Sequence, residues 1–560
     1  MEKRVLLAVV LSFVVLYGYQ ALYPPPKPVE QQQTATPAKA PGTEPAAPAG
    51  ATAEAVPPPP SGTNAPAPPL VAAEAEQDIV FENADVRAVF TTRGGALKSW
   101  ELKKYQGTGG KPLELIPADV PAGTLRPFTL SVDDQATSET LHTALYKPNT
   151  TSLSANVPAT LTFDYQDASG LDVHKEFAFS PEHPYNVNFT ARVTKGGAEL
   201  VPTIEWGPAI GTGVVVSTRT YNPPSQPIFY RDGSVSRIKN TKIQENAVQE
   251  GTFGFAGVDD HYFLTAAVPS GQPMHVQYRP LVLIAPGADE KTAPHFVEWS
   301  ARYASAPRQA RFFLGPKDFD VLAAVDRDLV RSIDFGMFAW IVVPLLRALK
   351  WVNTYIGNYG WSIIALTVLI NLAMFPLRHK SVVSMRRMQE IQPEVKAIQD
   401  RYANLKMSDP AKQKMNVELM NLYRERGVNP ASGCVPMLLT LPVLFAFYSM
   451  LSVAIELRGA PFIWWIKDLS IHDPYYITPV LMGISQFVQT KMTPSTADPM
   501  QQKMMLFMPL IMMSFFLWAP SGLVLYWLVS NVWAIGQLAF TNRLIGPMKV
   551  TAVRPPAERR

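Results

Sequence analysis

Residues 359–378 read YGWSIIALTVLINLAMFPLR. This run of roughly twenty mostly apolar residues is long enough to cross a bilayer as a helix. Thr367 and Asn371 lie four apart within it and so share a helical face. An amide in hydrocarbon is costly unless it faces protein, water or a substrate. Arg378 follows after roughly 10 Å of helix, which places Asn371 inside the membrane near its basic-flanked side. Two readings are open: an Asn that glues two helices together, or a member of a polar patch that handles a substrate.

The surrounding chain bears on the choice. Its 560 residues exceed one domain, and 47% hydrophobic against 17% charged residues suits membrane spans joined to soluble domains. The net charge of +4 is small and unevenly spread, so it does not argue for nucleic acid. The single cysteine, Cys434, excludes an intrachain disulfide and a cysteine-based metal site.

Lys3 and Arg4 precede an apolar run from Val5 to Leu22, with Tyr17, Tyr19 and Tyr23 at its far end. Residues 1–23 therefore read as an uncleaved membrane anchor with its basic end in the cytoplasm. Residues 24–71 are rich in Pro and Ala and read as an extended linker outside the cytoplasm. From 72 to 330 short β-rich runs alternate with turns, among them Asp85–Phe90, Leu161–Tyr165, His174–Phe179, Tyr185–Val193 and His275–Ile284. Gly94-Gly95, Asp232-Gly233 and Pro286–Asp289 mark turns, and the length suits one β-sandwich domain. His174, His183 and His261 lack ligand spacing. Residues 331–354 read as an interfacial helix, with Phe335, Phe338, Ile341, Val342, Leu345, Leu346, Leu349 and Val352 on its apolar stripe, Arg347 and Lys350 off it, and a kink at Pro344.

Segment 378–427 carries eleven Lys or Arg against six Asp or Glu, a net +5. Met388, Ile391, Val395, Ile398, Tyr402 and Leu405 form a coiled-coil-like seam, continued by Met415, Leu419 and Leu422. Asp409-Pro410 reads as a helix start and Gly427 as a stop, so the segment is expected to be a cytoplasmic helical hairpin. Spans are expected at about 355–377, 433–455, 476–492, 504–519 and 523–541, with a basic tail at 546–560. Basic segments then fall on one side, and with the anchor six spans result. Pro520-Ser521-Gly522 ties the last two into a tight pair.

No phosphate-binding loop, nucleophile elbow or metalloprotease helix occurs, so neither nucleotide, cofactor nor metal is expected. The spans instead hold amides and hydroxyls, notably Thr367, Asn371, Ser485, Gln486, Gln489, Ser530, Asn531 and Gln537, and many methionines, which suit varied apolar partners.

Several long motifs resemble the YidC-type bacterial membrane protein insertases. They are Asn429-Pro430-Ala431-Ser432-Gly433-Cys434-Val435-Pro436 with Leu441-Pro442, Ala460-Pro461-Phe462 with Trp465-Ile466 and Asp468-Leu469-Ser470, Asp473-Pro474-Tyr475-Tyr476, Asp498-Pro499-Met500-Gln501-Gln502-Lys503, and Phe516-Leu517-Trp518 through Pro520 to Trp527. The resemblance is strong over 330–545 and looser in the β-rich region, through Arg93-Gly94-Gly95 and Trp206-Gly207-Pro208. It implies a polytopic α-helical membrane protein with a five-helix insertase core and a periplasmic all-β sandwich. It also implies a lipid-open groove for substrate helices. With the polar residues above, the expected groove comprises Thr367, Asn371, Gln486, Gln489, Tyr526 and Asn531. The implied slide comprises Leu441, Pro442, Leu444, Phe515 and Phe516. Implied partners are nascent membrane proteins, the Sec translocon and its accessory subunits, ribosomes or targeting factors at the hairpin, and the bilayer of a Gram-negative inner membrane. Asn371 departs from the family, which usually carries a positive charge there; it is read as a neutral group that keeps the groove wet. The rival readings are a small-solute transporter and a membrane-anchored periplasmic sugar-binding protein.

Overall fold

The apolar–polar alternation from Leu171 to Phe179 becomes a strand whose odd-numbered side chains are buried. It pairs antiparallel with Ala159–Asp167 on one side and Asn186–Lys195 on the other, with Phe177 opposite both Leu161 and Phe189. The computed structural model describes residues 67–546 apart from 108–109, 118–119, 122, 155–156, 211–224, 269–270, 283–294, 306–308, 403–409, 429–434 and 495–498. The expected anchor, most of the linker and the basic tail thus lie outside the described residues, as do Pro286–Asp289 and Cys434.

The strand Leu171–Phe179 belongs to a sheet of eleven strands among the described residues. The opposing layer is split between two five-stranded sheets, one around Ala96–Gln106 and one around His295–Tyr303. Both cover the same face of the large sheet. Phe81 of one stacks on Phe179 with ring centres 3.9 Å apart. Beside the other, Phe128 touches Phe177, Phe189, Trp206 and Phe312 at 4.9–5.1 Å. The domain is therefore a sandwich with one divided layer. Asp232-Gly233 forms the expected two-residue hairpin turn, both with positive φ (53° and 79°).

Lys175 sits inside this sandwich with no solvent exposure. Its Nζ donates to the carbonyls of Gly94 (2.6 Å), Gly95 (3.3 Å) and Phe128 (2.9 Å). Nζ thus fastens the Gly94-Gly95 turn, whose positive φ values suit glycine.

The β domain carries two short helices, α1 (Gln135–Thr143) and α2 (Phe319–Val325). The rest of the chain is helical. Helix α3 (Ala339–Ile356) buries Val342, Leu346, Leu349 and Val352 and leaves Trp340, Trp351 and Tyr355 exposed, a pattern suited to a membrane surface. Helix α4 (Tyr359–Glu390) follows after Gly357, in the left-handed region at φ 72°, and is capped by Asn358. Helices α5 (Gln392–Arg401) and α6 (Pro410–Glu425) form the hairpin. Helices α7 (Val435–Val453), α8 (Ile477–Met492), α9 (Pro499–Phe516) and α10 (Ser521–Ile545) complete the fold. Among the described residues, α4 and α10 are long and apolar enough to cross a membrane, and shorter apolar stretches run Pro442–Val453 and Gln502–Phe516.

Helix α4 does not stop at 377, where the sequence suggests the boundary between span and hairpin. It runs unbroken through Pro376 and Arg378 for 32 residues. The hairpin seam forms its own small core of Ile391, Val395, Ile398, Leu422 and Val428, flanked by Met388, Tyr402, Met415 and Leu419. Arg386 anchors its base by donating to the carbonyl of Gly546, 2.6 Å away, at the end of α10.

The β domain is joined to the helices through charge and ring contacts. Lys350 of α3 reaches Asp318 (3.4 Å) and Asp320 (2.5 Å) beside α2, and Glu456 (3.2 Å) after α7. The Arg458 guanidinium lies over the rings of Tyr262 and Phe263. A ring nitrogen of His261 contacts the Ser452 carbonyl at 2.7 Å.

Candidate functional site

Helix α10 packs against α4 on one side and α8 on the other. Where they meet, an apolar bundle would normally close. Here a cavity of about 430 Å³ opens, lined by Asn371 and Arg378 of α4, Leu444 of α7, Gln486 and Gln489 of α8, and Tyr526, Asn531 and Gln537 of α10, with several neighbours. Five of the six expected groove residues line it. Thr367 is the exception: it is fully buried, and its hydroxyl donates to the Ile363 carbonyl four residues back, at 2.6 Å. Its role is local helix satisfaction.

The amides are held by the neighbouring helices. Asn531 donates to Ser485 Oγ (3.1 Å) and to the Met482 carbonyl (3.3 Å). The Trp527 indole donates to Gln486 Oε1 at 3.0 Å, so the aromatic beside Tyr526 orients a cavity amide. Tyr526 stacks on Phe447 with ring centres 4.2 Å apart. Gln537 donates to the Phe375 carbonyl at 3.3 Å. These bonds fix α8 and α4 against α10. Gln489 Oε1 differs: it is buried and has no hydrogen-bond partner among the described residues.

Asn371 uses both ends of its amide. Nδ2 donates to the Thr367 carbonyl at 2.8 Å, and Oδ1 accepts from Arg378 Nη1 at 2.7 Å. The expectation of a neutral Asn371 patch thus needs correcting, because the amide carries a guanidinium into the same cavity. The sequence marks Arg378 only as the basic flank of a span. The available signal was its spacing: seven residues is two helical turns, so 371 and 378 share a face.

Of the slide residues, Leu444 lines the cavity and Pro442 lies two residues earlier in α7. Phe516 packs edge-on against Trp527 at 5.1 Å, and Phe515 is 73% exposed. The Leu441 side chain lies outside the described residues. Around this site Leu481, Ile484 and Phe487 of α8 and Met504, Phe507, Met508 and Ile511 of α9 are exposed. Apolar faces of this extent are stable against lipid rather than water.

Apolar helices turned outward around a polar cavity, joined to a large β domain, define a protein that works within a membrane. The model of the 60Kd inner membrane protein family matches residues 351–548, and that of the YidC periplasmic domain matches 78–348. A membrane protein insertase YidC from Geobacter metallireducens is 37% identical, the alignment covering 97% of this chain and 99% of that one. One from Syntrophus aciditrophicus is 36% identical over 97% and 100%. A solved structure described as an active YidC insertase with its first transmembrane domain resolved covers 85% of this chain and 94% of its own, with 19% identity and a TM-score of 0.34. The chain belongs to the YidC family of membrane protein insertases.

Proposed function

We propose that the polar cavity is the route by which the hydrophilic tail of a substrate leaves the cytoplasm, while its apolar helix passes into lipid along α7 and α9. The observation that carries this reading is the polar wall of the cavity, where Asn371, Gln486, Gln489, Tyr526 and Asn531 gather among helices whose outer faces are apolar. Amides in hydrocarbon are costly unless they meet protein, water or a substrate, so such a wall suits a hydrated passage. The driving force is burial of the substrate helix, worth about 0.3–0.6 kcal/mol for each central Leu, Ile, Phe or Val. Leu441, Pro442, Leu444, Phe515 and Phe516 offer that helix an apolar exit.

The basic hairpin and tail belong on the cytoplasmic side, and the β domain on the periplasmic side of the inner membrane. This arrangement gives six spans with both termini inside. The hairpin suits ribosomes or targeting factors, and the Sec translocon with its accessory subunits is an expected partner.

Photo-crosslinkers at Gln489, Asn531, Leu444 and Phe515, challenged with stalled single-span nascent chains, test the route. Groove positions should capture the chain first and slide positions as it lengthens, with nothing at exposed Val157 of the β domain. Insertion without capture at Gln489 or Asn531 overturns it.

A further inference from the structure

Trp464 has a backbone conformation that its residue type disfavours. The connection between α7 and α8 holds two of the four non-glycine residues with positive φ among the described residues, Trp464 at 40° and Tyr476 at 57°. The Ile466 N–H donates to the Ile463 carbonyl at 2.9 Å, which makes Trp464 and Trp465 the central pair of a tight turn. A positive φ at the first central position ordinarily selects glycine, and a bulky side chain there is strained. The surroundings hold the strain in place. The Phe462 N–H donates to the Ile466 carbonyl (3.0 Å) and the Leu469 N–H to the Ala460 carbonyl (3.0 Å). Asn358 Nδ2 donates to the carbonyls of Pro461 (3.2 Å) and Phe462 (3.1 Å). The Phe462 ring sits so close to Gly360 that a Cβ there would lie 2.1 Å from it. Trp465 is tied to Asp473, and Ile466 and Leu469 are buried.

The ring carried by this strained turn does not enter the core: Trp464 is 82% exposed. Backbone held against residue preference clusters at functional positions. The loop lies at the β-domain end of the bundle, where the Arg458 guanidinium covers the rings of Tyr262 and Phe263. At the same end Trp351 and Tyr355 stand near the close of α3, Trp361 near the start of α4 and Tyr475 just before α8, all exposed. Exposed Trp and Tyr side chains spread over the ends of three helices suit a membrane–water interface, where the ring is shielded and its polar tip stays wet. We propose that loop 460–469 is a rigid anchor in the lipid interface, with Trp464 seated among the headgroups of the leaflet on the β-domain side. A tip already fixed by its own hydrogen bonds loses little freedom on entering that layer, which is what the strained turn provides. The loop thereby sets the depth at which this end of the bundle rides. The inference is independent of the groove, since Trp464 is not among the residues that line it.

The test uses the full chain with Cys434→Ser, so that Trp464→Cys or Val157→Cys supplies the single thiol for an environment-sensitive fluorophore. Each labelled protein is reconstituted in liposomes carrying nitroxide lipids, with the nitroxide at the headgroup or deep in the acyl chain. The probe at 464 should lose about half its emission to the headgroup nitroxide and much less to the deep one, and the probe at 157 should respond to neither. With Trp464 in place, brominated lipids should quench tryptophan emission more in the parent than in Trp464→Gly. Trp464→Gly also relieves the backbone, so its melting temperature in detergent should equal or exceed the parent's. A probe at 464 that both nitroxides leave bright overturns the inference: open to aqueous iodide, it stands in water, and shielded from iodide, it is covered by protein. A melting temperature several degrees lower in Trp464→Gly also overturns it, since Trp464 would then be a packing residue.

Discussion

Lys350 and Glu456 stand 3.2 Å apart, one on the interfacial helix α3 and the other just after α7, and the same ammonium reaches Asp318 and Asp320 of the β domain. Burial opposes charge on Lys350, but hydrogen bonding to Asp320 and the three carboxylates outweigh it and hold its pKa above the ordinary lysine value. Lys350→Met would leave three carboxylates facing one another. The expected loss is ~2 kcal/mol, below the ~3–5 kcal/mol of a fully buried pair because the site is partly open to water. Thermal unfolding in detergent followed by tryptophan fluorescence measures it, and a melting temperature equal to the parent's would show that the junction rests on its apolar contacts.

Asp473 is the acceptor around which the loop before α8 is built. Its carboxylate receives the Trp465 indole (3.0 Å), the backbone N–H groups of Tyr475 (3.0 Å) and Thr478 (2.8 Å), and the Thr478 hydroxyl (2.9 Å). Asp473→Ala should cost on the order of 3 kcal/mol, since several buried donors lose their partner together. Asp473→Asn keeps one acceptor oxygen and should lose less. Equal denaturation midpoints for the two variants would contradict this account.

The hairpin should be removable. Its core of Ile391, Val395, Ile398, Leu422 and Val428 is separate from the main one. Replacing 393–424 with a short flexible linker should leave the melting temperature of the remainder within a few degrees, while insertion of ribosome-delivered substrates slows several-fold. A collapse in stability would mean that α5 and α6 brace the groove.

Lys175 gives the β domain a pH signature. Burial pushes its ammonium down to about 7 from the ordinary 10.5. Between those values the unfolded chain holds the proton and the folded chain does not, so stability should rise with pH across that window by up to ~1.4 kcal/mol per unit. Lys175→Met should flatten the slope. Melts at pH 7, 8.5 and 10 decide, and parallel slopes for parent and variant would exclude Lys175 as the source.

Much of this was legible in the chain. The 3, 4, 3, 4 spacing from Met388 to Tyr402 is the hairpin seam, because each side chain that repeats on that period meets the facing helix. Gln486, Gln489 and Asn531 come together because amides in apolar spans have few places to go except toward one another. Lys175 was readable too: in LDVHKEFAF it occupies the same parity as Val173 and Phe177, so a strand with that face buried must bury it. The place of Arg378 was not legible, since composition marks a cation at the end of a span without giving the direction of its side chain. Thr367 failed for a related reason: sharing a face with Asn371 does not prevent a hydroxyl from bonding the carbonyl four residues back.

The unbroken course of α4 has a mechanical consequence. Asn371, Arg378 and the root of the hairpin are points on one shaft, so the groove and the cytoplasmic arm share a rotational phase. Each residue added or removed between 379 and 390 would swing the arm by about 100° relative to the cavity. The number of residues in that interval therefore acts as a setting, and changing it by one should decouple docking from the groove even if every side chain were kept.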